Sequence, residues 1–337
     1  MIFSDVILSE AKDLLFLLTS VSCILSVMSQ NTLILATRRS ALAMQQSNWV
    51  KSELERKIPG ARVELLTMVA TGDRLGELPL PAIGGKGLFT MELEAALLDG
   101  RAHLAVHSLK DLPTELGSGL TLAAIPPRED ARDVLISRTG VLFSALPQGA
   151  RIGTSSVRRS AQLLRLRPDL RIEPLRGNLD TRLRKLREGA WDAIVLAAAG
   201  LHRMGWKDQI TEYFPKNVLY PAIGQGALGI EARAGDHPTL EVLAVMNDPW
   251  SAITAAAERS LLRHLGGGCQ VPIAAFTHHH GSGMSVDAIV IRPDGTELIQ
   301  TTEISPDTST EAAEALGKQA ADHLLRLGAR RLLGTAT

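Results

Sequence analysis

The sequence predicts an α/β protein in which two lobes face a cleft and a small α+β domain follows. Three observations carry that expectation. From Leu33 onward short apolar runs alternate with amphipathic stretches of helical period, the habit of mostly parallel strands covered by helices. The pattern restarts at Arg151, and its character changes after Asn247.

In the first unit Leu33–Ala36 reads as a strand, Ala41–Lys57 as a helix and Val63–Val69 as a second strand. Thr71–Gly87, with five glycines and two prolines, reads as a long loop. Leu88–Leu98 is expected to be helical, and Leu104–His107 a short buried strand running into SLKDLP. The second unit offers strands at Arg151–Gly153, Arg171–Pro174 and Ala193–Ala197, with helices at Ser156–Arg167 and Leu179–Glu188. Crossings rich in Gly and Pro, near Pro126–Pro127 and Pro221–Gly229, join the units. Beyond them come a helix at Ala255–Leu265, the loop GGGCQVP, apolar runs at Ile273–Phe276, Val286–Ile291 and Leu298–Thr302, and a helix near Thr310–Leu327.

A length of 337 residues allows two or three domains at about 100–200 residues each. With 45% hydrophobic and 21% charged residues the chain is neither disordered nor a disulfide-stapled mini-protein. Its 36 basic and 36 acidic residues cancel, which argues against a nucleic-acid coat, yet a whole-chain sum can hide a local basic pocket. Two cysteines, Cys23 and Cys269, fit a reducing compartment and offer no zinc-ligand spacing, so any role for Cys269 is solitary. The apolar stretch Leu14–Val27 is shorter than the roughly 20 residues that span a bilayer. As an export signal it is preceded by Asp5, Glu10 and Asp13 against Lys12 alone. Residues 1–27 therefore read as an over-long start or a disordered extension of a cytoplasmic protein without a membrane anchor, because Met28 opens a stretch that runs straight into the first strand.

The basic pocket emerges between Arg151 and Arg187, where eleven basic residues face three acidic ones, a local surplus of eight. Arg165, Arg167, Arg184 and Arg187 suit a solvated helix face. Arg158, Arg159 and Arg176 each follow a strand, where open α/β sheets bind their ligands. Arg158 and Arg159 lie in the first turn of a helix behind GTSS, already the positive end of the dipole, so placing cations there is costly unless anions arrive. Arginine in preference to lysine points to bidentate recognition of carboxylate or phosphate. Only 4% of the residues are aromatic, so stacking platforms for nucleic acid are scarce and a carboxylate- or phosphate-rich small molecule is the favoured ligand. ATRRS places Arg38 and Ser40 at a helix start in the first unit, and HSLKD supplies Ser108, Lys110 and Asp111. An acid among so many cations stays ionised and suits the stabilisation of a developing positive charge; a structural salt bridge is the bland reading of Asp111. Three glycines before Cys269 let the backbone approach something bulky. His278–His280 read as an exposed loop, and His103 and His107 as strand residues with no metal site.

Taken together the blocks ATRRSALA, GGKGLF, AVHSLKDLP, GTSSVRR, LRGNLDTRL, AAAGLHRMG, PAIGQGALGIEAR and GGGCQVP resemble the porphobilinogen deaminase family, in order and across residues 30 to about 337. The resemblance implies two lobes like those of periplasmic binding proteins around a cleft, plus a third domain carrying the cysteine. Domain 1 is expected at 30–126 plus 227–246, domain 2 at 132–220 and domain 3 at 249–337, with residues 1–29 as an extension. It further implies a dipyrromethane cofactor held on Cys269 through a thioether, porphobilinogen as substrate, release of ammonia at each of four condensations, hydrolysis to hydroxymethylbilane, and a monomer with no metal. Asp111 matches the catalytic aspartate. Arg38, Arg158, Arg159, Arg176, Arg182 and Arg203 match binders of substrate and cofactor carboxylates, helped by Ser40, Ser108, Lys110, Thr154, Ser155, Ser156, Gly177 and Gln225. Lys86 and Phe89, beside the Thr71–Gly87 loop, are expected to regulate access. Two rival readings, a module that only binds a ligand and a Lys110 Schiff-base enzyme, do not use Asp111 and the GGGC cysteine together.

Overall fold

The computed structural model describes residues 32–70, 90–266 and 271–333. In the first lobe β1 (Leu33–Arg38), β2 (Val63–Met68), β3 (Leu104–Ser108), β4 (Leu120–Ala124) and β10 (Leu228–Arg233) form one sheet, ordered β2-β1-β3-β10-β4. β1 runs parallel to β2 and β3, whereas β10 runs antiparallel to β3 and β4. Side chains alternate across the pleat. On one face Leu35, Leu104 and Ile230 pack against Val50 and Leu54 of α1 (Ala41–Lys57). On the other Ala36 and Ala105 pack against Leu93, Ala96 and Leu97 of α2 (Met91–Leu98). Helix α1 begins where expected because the Ser40 hydroxyl accepts from Ala43 N, and Arg56 and Lys57 occupy its negative end.

The second lobe repeats the plan with β5 (Asp133–Ser137), β6 (Arg151–Gly153), β7 (Arg171–Glu173), β8 (Ala193–Ala197) and β9 (Glu212–Tyr213), ordered β7-β6-β8-β5-β9. β6 is parallel to β7 and β8, and β5 is antiparallel to β8 and β9. Leu135, Ile152 and Val195 bury on one face with Leu163 of α3 (Val157–Leu166). Val134, Ile194 and Leu196 bury on the other with Leu183 and Leu186 of α4 (Leu179–Arg187). A short helix, α5 (Ala198–Arg203), follows β8 directly, and α6 (His237–Ala244) follows β10.

The third unit is an antiparallel sheet of β11 (Ile273–His280), β12 (Gly283–Ile291) and β13 (Leu298–Ser305), with α7 (Pro249–His264), α8 (Thr310–Arg326) and α9 (Ala329–Leu332). Val286, Ala288 and Val290 bury one face of the sheet among Ala257 and Leu261 of α7 and Leu316, Ala320 and Leu324 of α8.

The alternation of strands and helices agrees with expectation, while several local readings are corrected. The expected Pro221–Gly229 crossing ends as strand: β10 starts at Leu228, and Gly229 packs closely there, since a Cβ would lie 2.9 Å from Leu122 Cδ1 and 3.1 Å from Leu109 Cδ1. Helix α7 begins at Pro249 instead of Ala255, since Asp248 caps it by accepting from Ser251 N and Pro suits the first helical position. His278–His280 are not a loop but the end of β11, paired with Gly283–Ser285, with His279 stacked on Trp250 at 3.6 Å between ring centroids.

Helices α7 and α8 approach closely at Gly317, where a Cβ would stand 2.1 Å from Ala257 O. Replacing a mid-helix glycine by alanine ordinarily gains about 0.5–1 kcal/mol. Here the sign reverses: Gly317→Ala is expected to lose about 1–3 kcal/mol through overpacking. Urea unfolding of the two proteins checks it, and a stabilised variant would contradict the close approach.

Candidate functional site

Residues from both lobes gather beyond the carboxyl ends of the parallel strands. In the first lobe Arg38 ends β1, and Ser40 caps α1. Ser108 ends β3 and accepts from Gln46 Nε2 at 3.1 Å. One turn of 3₁₀ helix, Leu109–Asp111, then carries Lys110 and leaves Asp111 exposed. Buried Leu109 anchors that turn, its N–H donating to Ala227 O at 3.0 Å. Lys110 Nζ donates to Gln225 Oε1 at 3.3 Å.

In the second lobe Thr154–Ser156 follow β6. Thr154 Oγ1 accepts from Ser156 N at 3.2 Å, and Ser156 caps α3 by accepting from Arg159 N. Ser155 Oγ donates to Leu175 O at 3.0 Å and accepts from Leu175 N at 3.1 Å, which ties this loop to the one that presents Arg176. Gly177 has φ +110°, and its carbonyl accepts from Arg182 Nε at 2.8 Å. Arg203 is tied to the second crossing, its Nη2 donating to Gly226 O at 2.6 Å.

The sequence reading did not single out Asp133. It opens β5, is fully buried, and accepts from Arg158 Nη1 at 2.7 Å through Oδ2. Its Oδ1 accepts from Arg159 Nε at 2.9 Å, Arg159 Nη2 at 2.7 Å and Gln225 Nε2 at 3.0 Å. Burial pushes its carboxyl up, but the Arg158 and Arg159 charges overcome that and hold it well below the usual carboxylate range. Part of the anion demanded by cations at the start of α3 is therefore supplied by the chain itself. The available signal was an acid at the head of an otherwise apolar run, DVLI. Gln225 is likewise 1% exposed, with its amide shared between Lys110, Ala131 O and Asp133.

Two further cations are depressed by burial. Burial lowers the Lys110 amine to about 8, with Asp111 opposing the shift and Arg159 reinforcing it. Burial also lowers Arg182 to about 10, Arg159 and Arg176 reinforcing and Asp111 opposing. Asp111 of one lobe and Arg159, Arg176 and Arg182 of the other thus share one electrostatic environment, able to hold a ligand bearing several carboxylates. Cys269, Lys86 and Phe89 lie outside the described residues. His103 Nδ1 accepts from Ile34 N at 2.9 Å, and His107 faces the buried Glu231 at 3.0 Å. Among the described residues no group of three or more His, Cys, Asp or Glu could hold a metal ion.

Comparison with known proteins shows the family. Residues 33–241 match the family model "Porphobilinogen deaminase, dipyromethane cofactor binding domain", and residues 252–326 match "Porphobilinogen deaminase, C-terminal domain". The porphobilinogen deaminase of Syntrophobacter fumaroxidans is 49% identical over 306 residues, covering 91% of this chain and 98% of that protein. That of Syntrophotalea carbinolica is 50% identical, covering 91% and 96%. That of Brevibacillus brevis is 48% identical, covering 88% and 95%. Among solved structures, the periplasmic aliphatic sulphonate binding protein SsuA of Escherichia coli overlaps at a TM-score of 0.40 and 15% identity, over 92% of this chain and 94% of that one.

The lowered amine has a consequence for stability. Between pH 8 and its unfolded value of 10.5 Lys110 has shed its proton in the fold while the unfolded chain still holds it. The folded state therefore gains on the unfolded one as pH rises through that window. Against Lys110→Met, wild-type stability is expected to improve on the order of 1–2 kcal/mol between pH 7 and 10.5, discounted for partial exposure. Urea unfolding of both proteins at the two pH values measures it, and a constant gap would contradict a depressed amine.

Proposed function

The chain belongs to the porphobilinogen deaminase family, and from that premise we propose how its own residues serve the family's reaction. The protein is a transferase of tetrapyrrole biosynthesis, a hydroxymethylbilane synthase that uses a dipyrromethane cofactor. It joins four porphobilinogen molecules head to tail, releases ammonia at each step, and frees the product by hydrolysis. The observation that carries the residue assignment is the exposed carboxylate of Asp111 beside half-buried Lys110 and Arg182, one cation from each lobe, both depressed by desolvation.

Those cations fit the cofactor's chemistry. Each pyrrole ring brings an acetate and a propionate, and carboxylates crowded in a low-dielectric cleft repel unless compensated. Lys110 and Arg182, depressed by burial, regain their charge preference when such anions sit beside them. We assign Arg38, Arg158, Arg159, Arg176, Arg182 and Arg203 to carboxylate binding. Ser40, Ser108, Lys110, Thr154, Ser155, Ser156, Gly177 and Gln225 shape the same surface. Cys269, in the segment between α7 and β11, is the thioether anchor. When bound, the dipyrromethane supplies the terminal ring that is extended. Asp111 accepts the pyrrole N–H and stabilises the positive charge that grows on nitrogen as ammonia leaves, and its exposure gives the ring access. Arginines on both lobes orient the rings so that the reacting carbons meet. Lys86 and Phe89 guard access. The protein works as a cytoplasmic monomer; no helix among the described residues is long and apolar enough to cross a membrane.

Intact mass spectrometry of the purified protein is expected to show a covalent adduct of two pyrrole rings that Cys269→Ser abolishes. An unmodified thiol in active protein would reject the assignment. Asp111→Ala is expected to keep fold and adduct while turnover falls about 10²–10³-fold or more. Near-wild-type turnover would remove Asp111 from the chemistry.

A further inference from the structure

We propose that Asp133 is the positioning residue that presets Arg158 and Arg159 for the ligand's carboxylates, and that uptake of the cofactor depends on it. This rests on the functional reading above. Successive residues on an α-helix point about 100° apart, so Arg158 and Arg159 have no intrinsic reason to converge. They converge because one fully buried carboxylate divides its oxygens between them, Oδ2 to Arg158 and Oδ1 to Arg159. Without that anion two guanidiniums held at one point in a poorly screened interior would repel.

The donor inventory shows what is left for a ligand. Arg159 has all three nitrogens tied, Nε and Nη2 to Asp133 and Nη1 to Val195 O at 3.1 Å, which fixes its position and leaves one further N–H on each Nη. Arg158 hydrogen-bonds through Nη1 alone among the described residues, to Asp133 at 2.7 Å and Tyr220 O at 2.5 Å. Its other edge, Nε with Nη2, is the planar fork that matches a carboxylate. One aspartate against two arginines leaves one positive charge uncompensated, aimed by the partner that Asp133 fixes. Asp133 also reaches the other lobe: Gln225 donates Nε2 to Asp133 Oδ1 and accepts Lys110 Nζ on Oε1. A single buried carboxylate and one amide therefore set the arginine pair in register with the turn that bears Asp111.

The test compares wild type, Asp133→Asn and Asp133→Glu, each checked for folding by circular dichroism and urea unfolding. Intact mass then gives the fraction carrying the two-pyrrole adduct, and steady-state kinetics give KM and kcat of the adduct-bearing protein. Asp133→Asn is expected to fold yet carry at least tenfold less adduct. Asp133→Glu keeps the charge but moves it by one methylene; it is expected to load, with KM for porphobilinogen raised tenfold or more and kcat changed less than threefold. Folded Asp133→Asn with full adduct and wild-type KM would overturn the proposal. If Asp133→Asn does not fold, Asp133→Glu decides, because a loaded variant with unchanged KM would overturn it equally. A wild-type protein with neither adduct nor turnover would instead reject the functional reading, so the two failures are distinguishable.

Discussion

One buried carboxylate joins the three parts of the molecule. Glu258 of α7 is 0% exposed and accepts from Arg128 Nη1 at 2.7 Å, Arg128 Nη2 at 3.0 Å, Gly224 N at 2.8 Å and Thr277 N at 3.0 Å. Arg128 and Gly224 sit on the two crossings between the lobes, and Thr277 sits on β11. Such a pair is tolerable only because its lone pairs are filled, and losing either partner strands a charge at a cost of about 3–5 kcal/mol. The crossings are also locked to each other. Arg128 Nε donates to Gln225 O at 2.9 Å, and a Cβ on Gly226 would fall 2.3 Å from Glu129 O. The Gln225 side chain leaves for the site from this clamped segment, so the connection between lobes and the placement of Lys110 depend on the same few residues.

Charge is distributed on two principles. Arg151 with Glu173, Arg167 with Asp169 and Arg184 with Glu188 form pairs at or near the surface, the kind that contributes little to stability. In the site one acid is shared: Asp133 serves both Arg158 and Arg159, while burial depresses Lys110 and Arg182. A zero whole-chain charge is therefore compatible with a cleft built for a polyanion, because the sum does not say where along the fold the cations gather.

How far this was legible depended on how local each signal was. Helix α1 was readable to the residue, since its cap, period and basic last turn all lie within its own span. β8 was equally plain as a short apolar run, and the residues after β1, β3 and β6 were correctly placed beyond strand ends. β10 was hidden because Gly229 and Glu231 interrupt its apolar pattern and its partners are distant in sequence: Ser108 pairs with Leu228. Asp133 was hidden for the same reason. Nothing near it announces that two arginines beyond the next strand will close on it. Gln225 was seen as part of the site, but its neighbours, and hence its bridging geometry, could not be.

The two aspartates show why the same side chain must be used in two ways. Asp111 stands exposed on a turn, where a ring can reach it, and Asp133 is sealed beneath the arginines it organises. Reversing them would fail on physical grounds. A buried Asp111 could not meet a substrate. An exposed Asp133 would be screened by water and could not hold two guanidiniums against their repulsion. Environment, more than residue type, separates the carboxylate that faces the reaction from the one that builds the site around it. The turn after β3 and the first residue of β5 achieve this separation while remaining linked through Gln225, so that catalytic and positioning charges are held in one register.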